Sequence, residues 1–156
     1  MTLVVCAASA DGLAALPIFP IEGRGELAER RYPIPAVDSV NIDRSAQLIV
    51  VRNAGHAYVF NLACPHENAA LKWVDRDHRF QCTKHDSRYQ PDGEHISGRA
   101  TRNMDRLPIR RDGAELVVNL DHVIRSDQDP AGWMAAAIAL APAAGADRPQ
   151  RNSMMR

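Results

Sequence analysis

The sequence predicts an all-β fold: a small antiparallel β domain with an inserted loop region at about 62–98 and a short C-terminal helical tail. Short β-branched runs alternate with turn residues, and no strong helical periodicity occurs before residue 130. A chain of 156 residues has room for one domain and a docking tail. It can bury a sizeable core without disulfides.

The first segment, 1–34, is punctuated by proline and glycine, which predicts an extended arm or the remnant of an anchor. We expect the strands to begin near Ala36. The apolar start could be the end of an export or anchor sequence, or a leader that packs on the domain or on a partner. It contains Cys6, which we expect to pack as a small apolar residue. No stretch approaches the roughly 20 apolar residues that span a bilayer.

Two hairpins are predicted in the domain, which we place at 35–125. The runs 47–52 and 57–60 are rich in strand-forming residues and are separated by a turn. The runs 107–111 and 114–119 flank Asp112-Gly113, a pair that suits the positive φ angles of a tight turn.

The tail, 126–156, changes character. Residues 132–141 are almost wholly apolar and favour a helix, and Pro142 ends it. The remainder, to Arg156, is predicted to be disordered. The helix could pack on its own domain or dock on a partner subunit, since apolar patches rarely stay exposed.

Two cysteine–histidine pairs within the insertion carry the most chemical information: Cys64-Pro65-His66 and Cys82-Thr83-Lys84-His85. A mixed-ligand [2Fe–2S] centre needs two thiolates on one iron and two imidazoles on the other. Two loops that each give one Cys and one His can meet that demand. Zinc takes the same ligand types, although structural zinc fingers usually pair Cys with Cys and His with His. Simple burial in the core is the third interpretation.

The residues after the second histidine, HDSRYQPDG, resemble the Rieske iron–sulfur family, whose second cluster loop often reads C-x2-H-x-S-x-Y/F with a D-G turn beyond it. The resemblance covers roughly 35–119. It implies a Rieske-type antiparallel β-sandwich with an inserted cluster-binding subdomain and one [2Fe–2S] cluster per chain. The implied metal ligands are Cys64, His66, Cys82 and His85. Histidine ligation raises the reduction potential to about −150 to +300 mV.

Further roles follow from the quinol-oxidising branch of that family. There, residues at the positions of Ser87 and Tyr89 donate hydrogen bonds to a bridging sulfide and to the first cysteine sulfur, so both are implied cofactor-binding residues. His85 is the implied catalytic residue, which hydrogen-bonds a quinol and accepts its proton as the electron moves.

The chain also departs from that branch. Its members usually link the two cluster loops by a disulfide, but the corresponding positions here are Ala69 and Lys84. Asn68 stands where the branch has a glycine, and asparagine tolerates left-handed backbone angles better than most residues. Lack of the bridge is common among ferredoxin-like members.

The resemblance therefore implies a one-electron carrier, the iron–sulfur subunit of a quinol-oxidising complex that passes electrons to a cytochrome c-type acceptor. The alternative is a soluble Rieske ferredoxin or the small subunit of an arsenite-oxidase-like molybdenum oxidoreductase. A Rieske oxygenase needs a further iron domain, which the residues after Asn119 are too few to supply. We expect an electron-transfer subunit that is not catalytic alone.

Charge constrains the partners. The 19 basic residues equal the 19 acidic ones, which argues against nucleic acid. Between Lys84 and Arg111, seven basic residues stand against four acidic ones, and a basic rim would steer an acidic redox partner. A solvated surface is the plainer interpretation of that excess. The expected location is the periplasmic face of a bacterial membrane complex, reached through partner subunits, with the cytoplasm left open.

Overall fold

A computed structural model describes residues 29–140, which form eleven short strands and little helix. The strands are β1 (Glu29–Pro33), β2 (Ser39–Asp43), β3 (Leu48–Asn53), β4 (His56–Asn61), β5 (Leu71–Val74), β6 (Arg79–Cys82), β7 (Arg88–Tyr89), β8 (His95–Ser97), β9 (Ile109–Asp112), β10 (Glu115–Asn119) and β11 (Ile138–Ala139). A 3₁₀ turn spans Asp75–Asp77, and the helix α1 spans Pro130–Ala135. The predicted all-β class with a short C-terminal helix is confirmed.

The strands form three antiparallel sheets. Sheet I has the order β1-β10-β9, sheet II the order β11-β4-β3-β2, and sheet III the order β5-β6-β7-β8. Sheet III is built from consecutive strands and is inserted between β4 and β9. Both predicted hairpins are present, as β3–β4 and β9–β10.

Sheet II is the central layer because its two inner strands, β3 and β4, are buried on both faces. Successive side chains of a strand point to opposite faces. In β3, Leu48 and Val50 therefore enter the core shared with sheet I, whereas Ile49 and Val51 enter the core shared with sheet III. This second core, which we call the site core, also contains the two cysteines of the cluster loops. The candidate metal centre thus shares a core with β3 and β4, the buried inner strands of sheet II.

The first strand begins earlier than predicted, at Glu29 instead of near Ala36, because β10 offers a partner that the local sequence does not reveal. Tyr32 is buried in the core between sheets I and II, and its hydroxyl donates to the Asp43 carboxylate at 2.8 Å. Arg31 forms an ion pair with Glu115 of β10 at 3.0 Å. Residues 1–28, including Cys6, lie outside the described part of the chain.

The helix in the tail is shorter than the predicted 132–141. The Asp129 side chain accepts a hydrogen bond from the Gly132 amide at 2.8 Å and begins α1, as a capping residue does. The chain then leaves the helix, because β11 pairs with the edge of β4 through Ile138 and Ala139. Trp133 is buried, so the described part of the tail packs on its own domain. Residues 141–156 are not described.

Arg106 fastens this tail to the domain. Its buried guanidinium lies 3.5 Å from the centroid of the Trp133 ring and 4.8 Å from that of Tyr58. It donates to the carbonyls of Trp133 and Asp92, each at 2.6 Å. Burial lowers the pKa of Arg106 to about 10. One side chain therefore connects α1, sheet II and the turn that follows β7.

Within residues 29–140, no helix has the length and apolar character needed to cross a membrane.

Candidate metal centre

The first cluster loop lies between β4 and β5 and is closed by its own backbone. The Cys64 amide donates to the Ala69 carbonyl at 2.8 Å, and the Asn68 amide donates to the Cys64 carbonyl at 2.9 Å. Asn68 has a φ of 55°, the left-handed conformation that we expected asparagine to tolerate there. The loop buries Cys64 completely and leaves the His66 side chain 25% exposed.

The second cluster loop joins β6 to β7 and rests against the first. The Cys82 amide donates to the Ser87 carbonyl at 2.8 Å, which closes the loop. Thr83 reaches across, because its amide and its hydroxyl both donate to the Ala70 carbonyl, at 3.1 and 2.9 Å. Cys82 is buried, and the His85 side chain is 18% exposed.

The two buried thiols lie next to each other, and the phenol of Tyr89 contacts one of them. Cys64 and Cys82 lie close enough to hydrogen-bond, and burial raises the pKa of Cys64. The Tyr89 hydroxyl lies 3.3 Å from the Cys64 sulfur. Burial, reinforced by the hydrogen bond with Cys64, raises the pKa of Tyr89, so the phenol keeps its proton and can donate it to a thiolate. A buried thiol of this kind stays neutral until a metal takes the place of its proton.

The two imidazoles meet at the surface. The Nδ1 atoms of His66 and His85 lie 3.2 Å apart, with ring centroids 5.0 Å apart and ring planes at 77°. Two nitrogens bound about 2.0–2.1 Å from one tetrahedral metal would be about 3.3–3.4 Å apart. The observed spacing therefore fits two imidazoles that share one metal ion.

The four side chains do not converge on a single point. In the described chain, the one group of three or more metal-binding side chains whose donor atoms all lie within 4.8 Å of one another is His66, Glu67 and His85, and it contains no cysteine. A Cys2His2 zinc ion would bring all four donors together. Separate thiol and imidazole pairs instead match a centre with two thiolates on one iron and two imidazoles on the other.

Ser87 lies behind the second loop and is fully buried. Its oxygen accepts a hydrogen bond from the Ala100 amide at 3.0 Å, which holds the segment 97–101 against the loop. Gly98 permits this close approach, because its φ is 105° and a Cβ would collide with the Ser87 backbone. The Ser87 side chain also hydrogen-bonds the Tyr89 hydroxyl, and its expected role toward the cluster stays a prediction.

Two residues near the site were not singled out from the sequence. The Glu67 carboxylate accepts a hydrogen bond from Lys84 at 2.9 Å and lies within 4 Å of both candidate histidines. The Lys84 hydrogen bond holds the pKa of Glu67 below its ordinary value. The His95 ring contacts the Tyr89 ring edge-on, with ring centroids 5.5 Å apart. The sequence does hold a signal for the Glu67–Lys84 contact, because each loop has a charged residue of opposite sign next to its histidine.

Most of the basic side chains near the site form ion pairs within the domain or are buried in it. Four of the seven basic residues between Lys84 and Arg111 are engaged: Lys84 with Glu67, Arg102 with Asp105, Arg110 with Glu29, and Arg106 in the core. Lys84, Arg99, Arg110 and Arg111 are exposed. Steering of an acidic partner by these residues stays a prediction.

The paired thiols and paired imidazoles fit an iron–sulfur centre of mixed cysteine and histidine ligation. The family profile for the Rieske [2Fe-2S] domain matches residues 28–117. The chain belongs to the Rieske [2Fe–2S] family, so it carries a [2Fe–2S] cluster and transfers electrons with redox partners.

One similar solved structure is the cyanobacterial plasma membrane Rieske protein PetC3 from Synechocystis PCC 6803. It has a TM-score of 0.43 and 21% sequence identity, over 51% of this chain and 83% of that chain. The comparison with curated proteins gives no match.

Proposed function

We propose that Cys64, His66, Cys82 and His85 hold the cluster and that the chain is the iron–sulfur subunit of a quinol-oxidising complex that passes electrons to a cytochrome. The observation that carries this proposal is the pairing of ligands by type, with buried thiols beside each other and the two Nδ1 atoms 3.2 Å apart at the surface. When bound, the cluster supplies reversible one-electron redox chemistry.

The protein supplies an asymmetric setting for that chemistry. The cysteine side is closed by the site core, which excludes water. The histidine side is partly exposed, so a donor or an acceptor can approach the ring edges of His66 and His85. His85 is the residue that we propose contacts the quinol and takes its proton.

Hydrogen bonds that raise the reduction potential of the cluster would suit the quinol-oxidising role. Tyr89 is placed to donate to the Cys64 sulfur, and a hydrogen bond to a cluster sulfur favours the reduced, more negative state. Such donors raise the reduction potential toward the upper part of the Rieske range, where a cluster can accept electrons from quinol.

A specific observation favours the second candidate, a Rieske ferredoxin or the small subunit of an arsenite-oxidase-like molybdenum oxidoreductase. Cys64 and Cys82 are free, and no disulfide links the two loops in the described residues, where Ala69 and Lys84 occupy the positions concerned. The quinol-oxidising candidate belongs on the periplasmic face of a membrane, held by partner subunits, whereas the ferredoxin can be cytoplasmic.

The midpoint potential of the purified protein tests the proposal. A value in the positive part of the Rieske range, together with oxidation of quinol and reduction of a cytochrome c in the assembled complex, supports the quinol-oxidising role. A value near −150 mV, the lower end of that range, with no quinol oxidation, would establish the ferredoxin instead. Stoichiometric zinc, with no rhombic EPR signal after reduction, would refute the cluster ligands themselves.

A further inference from the structure

The two cluster loops are joined by a pair of opposite charges. Glu67 follows His66 in the first loop, and Lys84 precedes His85 in the second. Their side chains meet with Lys84 Nζ 2.9 Å from Glu67 Oε2. The register of sheet III sets this meeting, because Leu71 of β5 lies opposite Cys82 of β6 and brings the two loops side by side.

The carboxylate lies between the lysine and both candidate ligands. Glu67 Oε2 is 3.6 Å from His85 Nδ1, and Glu67 Oε1 is 3.9 Å from His66 Nε2. No other carboxylate in the described chain joins these histidines in a group of potential metal ligands. A full negative charge therefore stands beside the imidazole side of the centre.

We propose that Glu67 lowers the reduction potential of the centre through its charge and that Lys84 holds the carboxylate in place and partly offsets it. The inference rests on the proposed ligand set. An electron that arrives at the centre adds negative charge, and a carboxylate nearby makes this less favourable. Net charge around the cluster is one of the established determinants of potential in iron–sulfur proteins.

The exposure of the pair indicates where its effect is to be measured. The Glu67 and Lys84 side chains are 43% and 57% exposed, so solvent weakens their contribution to folding stability. Solvent also screens the carboxylate's effect on the centre, but the carboxylate lies within 4 Å of both histidines, so part of that effect remains. The reduction potential is therefore the informative quantity, and the melting temperature is not.

The two single substitutions should shift the reduction potential in opposite directions. Glu67→Gln removes the negative charge and should favour reduction by about three- to tenfold, which raises the potential of a one-electron couple by about 30–60 mV. Lys84→Met leaves the carboxylate without its counter-charge and should lower the potential. A role limited to holding the loops would instead make both variants lose the cluster faster, with no opposed shifts.

The charge swap separates the two roles. Glu67→Lys combined with Lys84→Glu keeps an ion pair between the loops but places the positive charge beside the histidines, so the potential should rise while the cluster is retained. The matched control is Glu115→Gln, which removes a carboxylate that is 46% exposed and lies 3.0 Å from Arg31 in sheet I. Its potential should equal that of the wild type.

The decisive experiment is a redox titration of the cluster-loaded variants, followed by optical and EPR spectra. Opposed shifts in the single variants and a rise in the swap support the inference. Equal potentials, or shifts of the same sign, would overturn it, as would loss of the cluster from both single variants with an unchanged potential in the swap. Absence of the rhombic signal in the wild type would instead refute the ligand set, so the two failures are distinguishable.

Discussion

Replacement of Tyr89 by phenylalanine removes one hydroxyl from the site core and leaves the ring in place. The phenol is fully buried, and its oxygen lies 3.3 Å from the Cys64 sulfur, a normal distance for a hydrogen bond to sulfur. A hydrogen bond to a charged group contributes about 1.5–3 kcal/mol. If the oxidised state did not use the bond at all, the loss would lower a one-electron potential by about 65–130 mV.

The oxidised cluster also accepts the hydrogen bond. The potential therefore depends only on the difference in hydrogen-bond strength between the reduced and the oxidised state. We therefore expect Tyr89→Phe to lower the midpoint potential by about 30–60 mV, roughly half of that upper value. The measurement is a spectroelectrochemical titration of the cluster-loaded variant, with the rhombic EPR signal as proof that the ligands are intact.

Tyr32→Phe is the control for this experiment. Its hydroxyl also forms one hydrogen bond, to Asp43 at 2.8 Å, but in the core on the other side of sheet II. The control should cost about 1 kcal/mol of stability and leave the potential unchanged. Ser87→Ala is less informative because it also strips the Ala100 amide of its acceptor. An unchanged or higher potential in Tyr89→Phe would show that the phenol does not donate to the centre.

Four further substitutions test other parts of the structure. Cys64→Ser and His85→Ala should each abolish the rhombic EPR signal, and iron that persisted at wild-type levels would contradict their assignment. Arg106→Met should lower the free energy of unfolding by about 2–4 kcal/mol, measured in urea, because two carbonyls lose their donor. Asp43 has its pKa lowered to about 2, first by the Ser45 hydroxyl, so its stabilisation is present above about pH 4 and disappears as pH falls through 2. Asp43→Asn should therefore cost about 1 kcal/mol at pH 7 and nothing well below pH 2, and a constant difference would contradict this.

The candidate ligands were predictable from the sequence because the information is local. Cys64 and His66 are two positions apart in one short loop, and Cys82 and His85 are three apart in another. Residue type and spacing therefore indicate the chemistry without knowledge of the fold. The arrangement of the ligands by type was expected from the chemistry of a mixed-ligand centre, but the pairing of β5 with β6 that brings the two loops together was not visible in the sequence. The Glu67–Lys84 contact follows from the same pairing and was missed for that reason.

Tertiary partners account for the remaining differences. Residues 132–141 have the composition of a helix, but the free edge of β4 draws Ile138 and Ala139 into a strand. Arg106 was counted with the surface charges, and the structure buries it against Trp133. In both cases a contact between distant parts of the chain outweighs a local preference.

Sheet III and sheet I differ in the distance along the chain that their pairings must bridge. Every pair in sheet III joins consecutive strands, whereas β1 and β10 in sheet I come from opposite ends of the domain. Short loops close at a smaller entropic cost and faster than long ones. This favours a folding order in which the strands of sheet III, which follow the first cluster loop and flank the second, pair first and the ends of the domain join last. Iron could then be acquired by a chain that is still open at its termini.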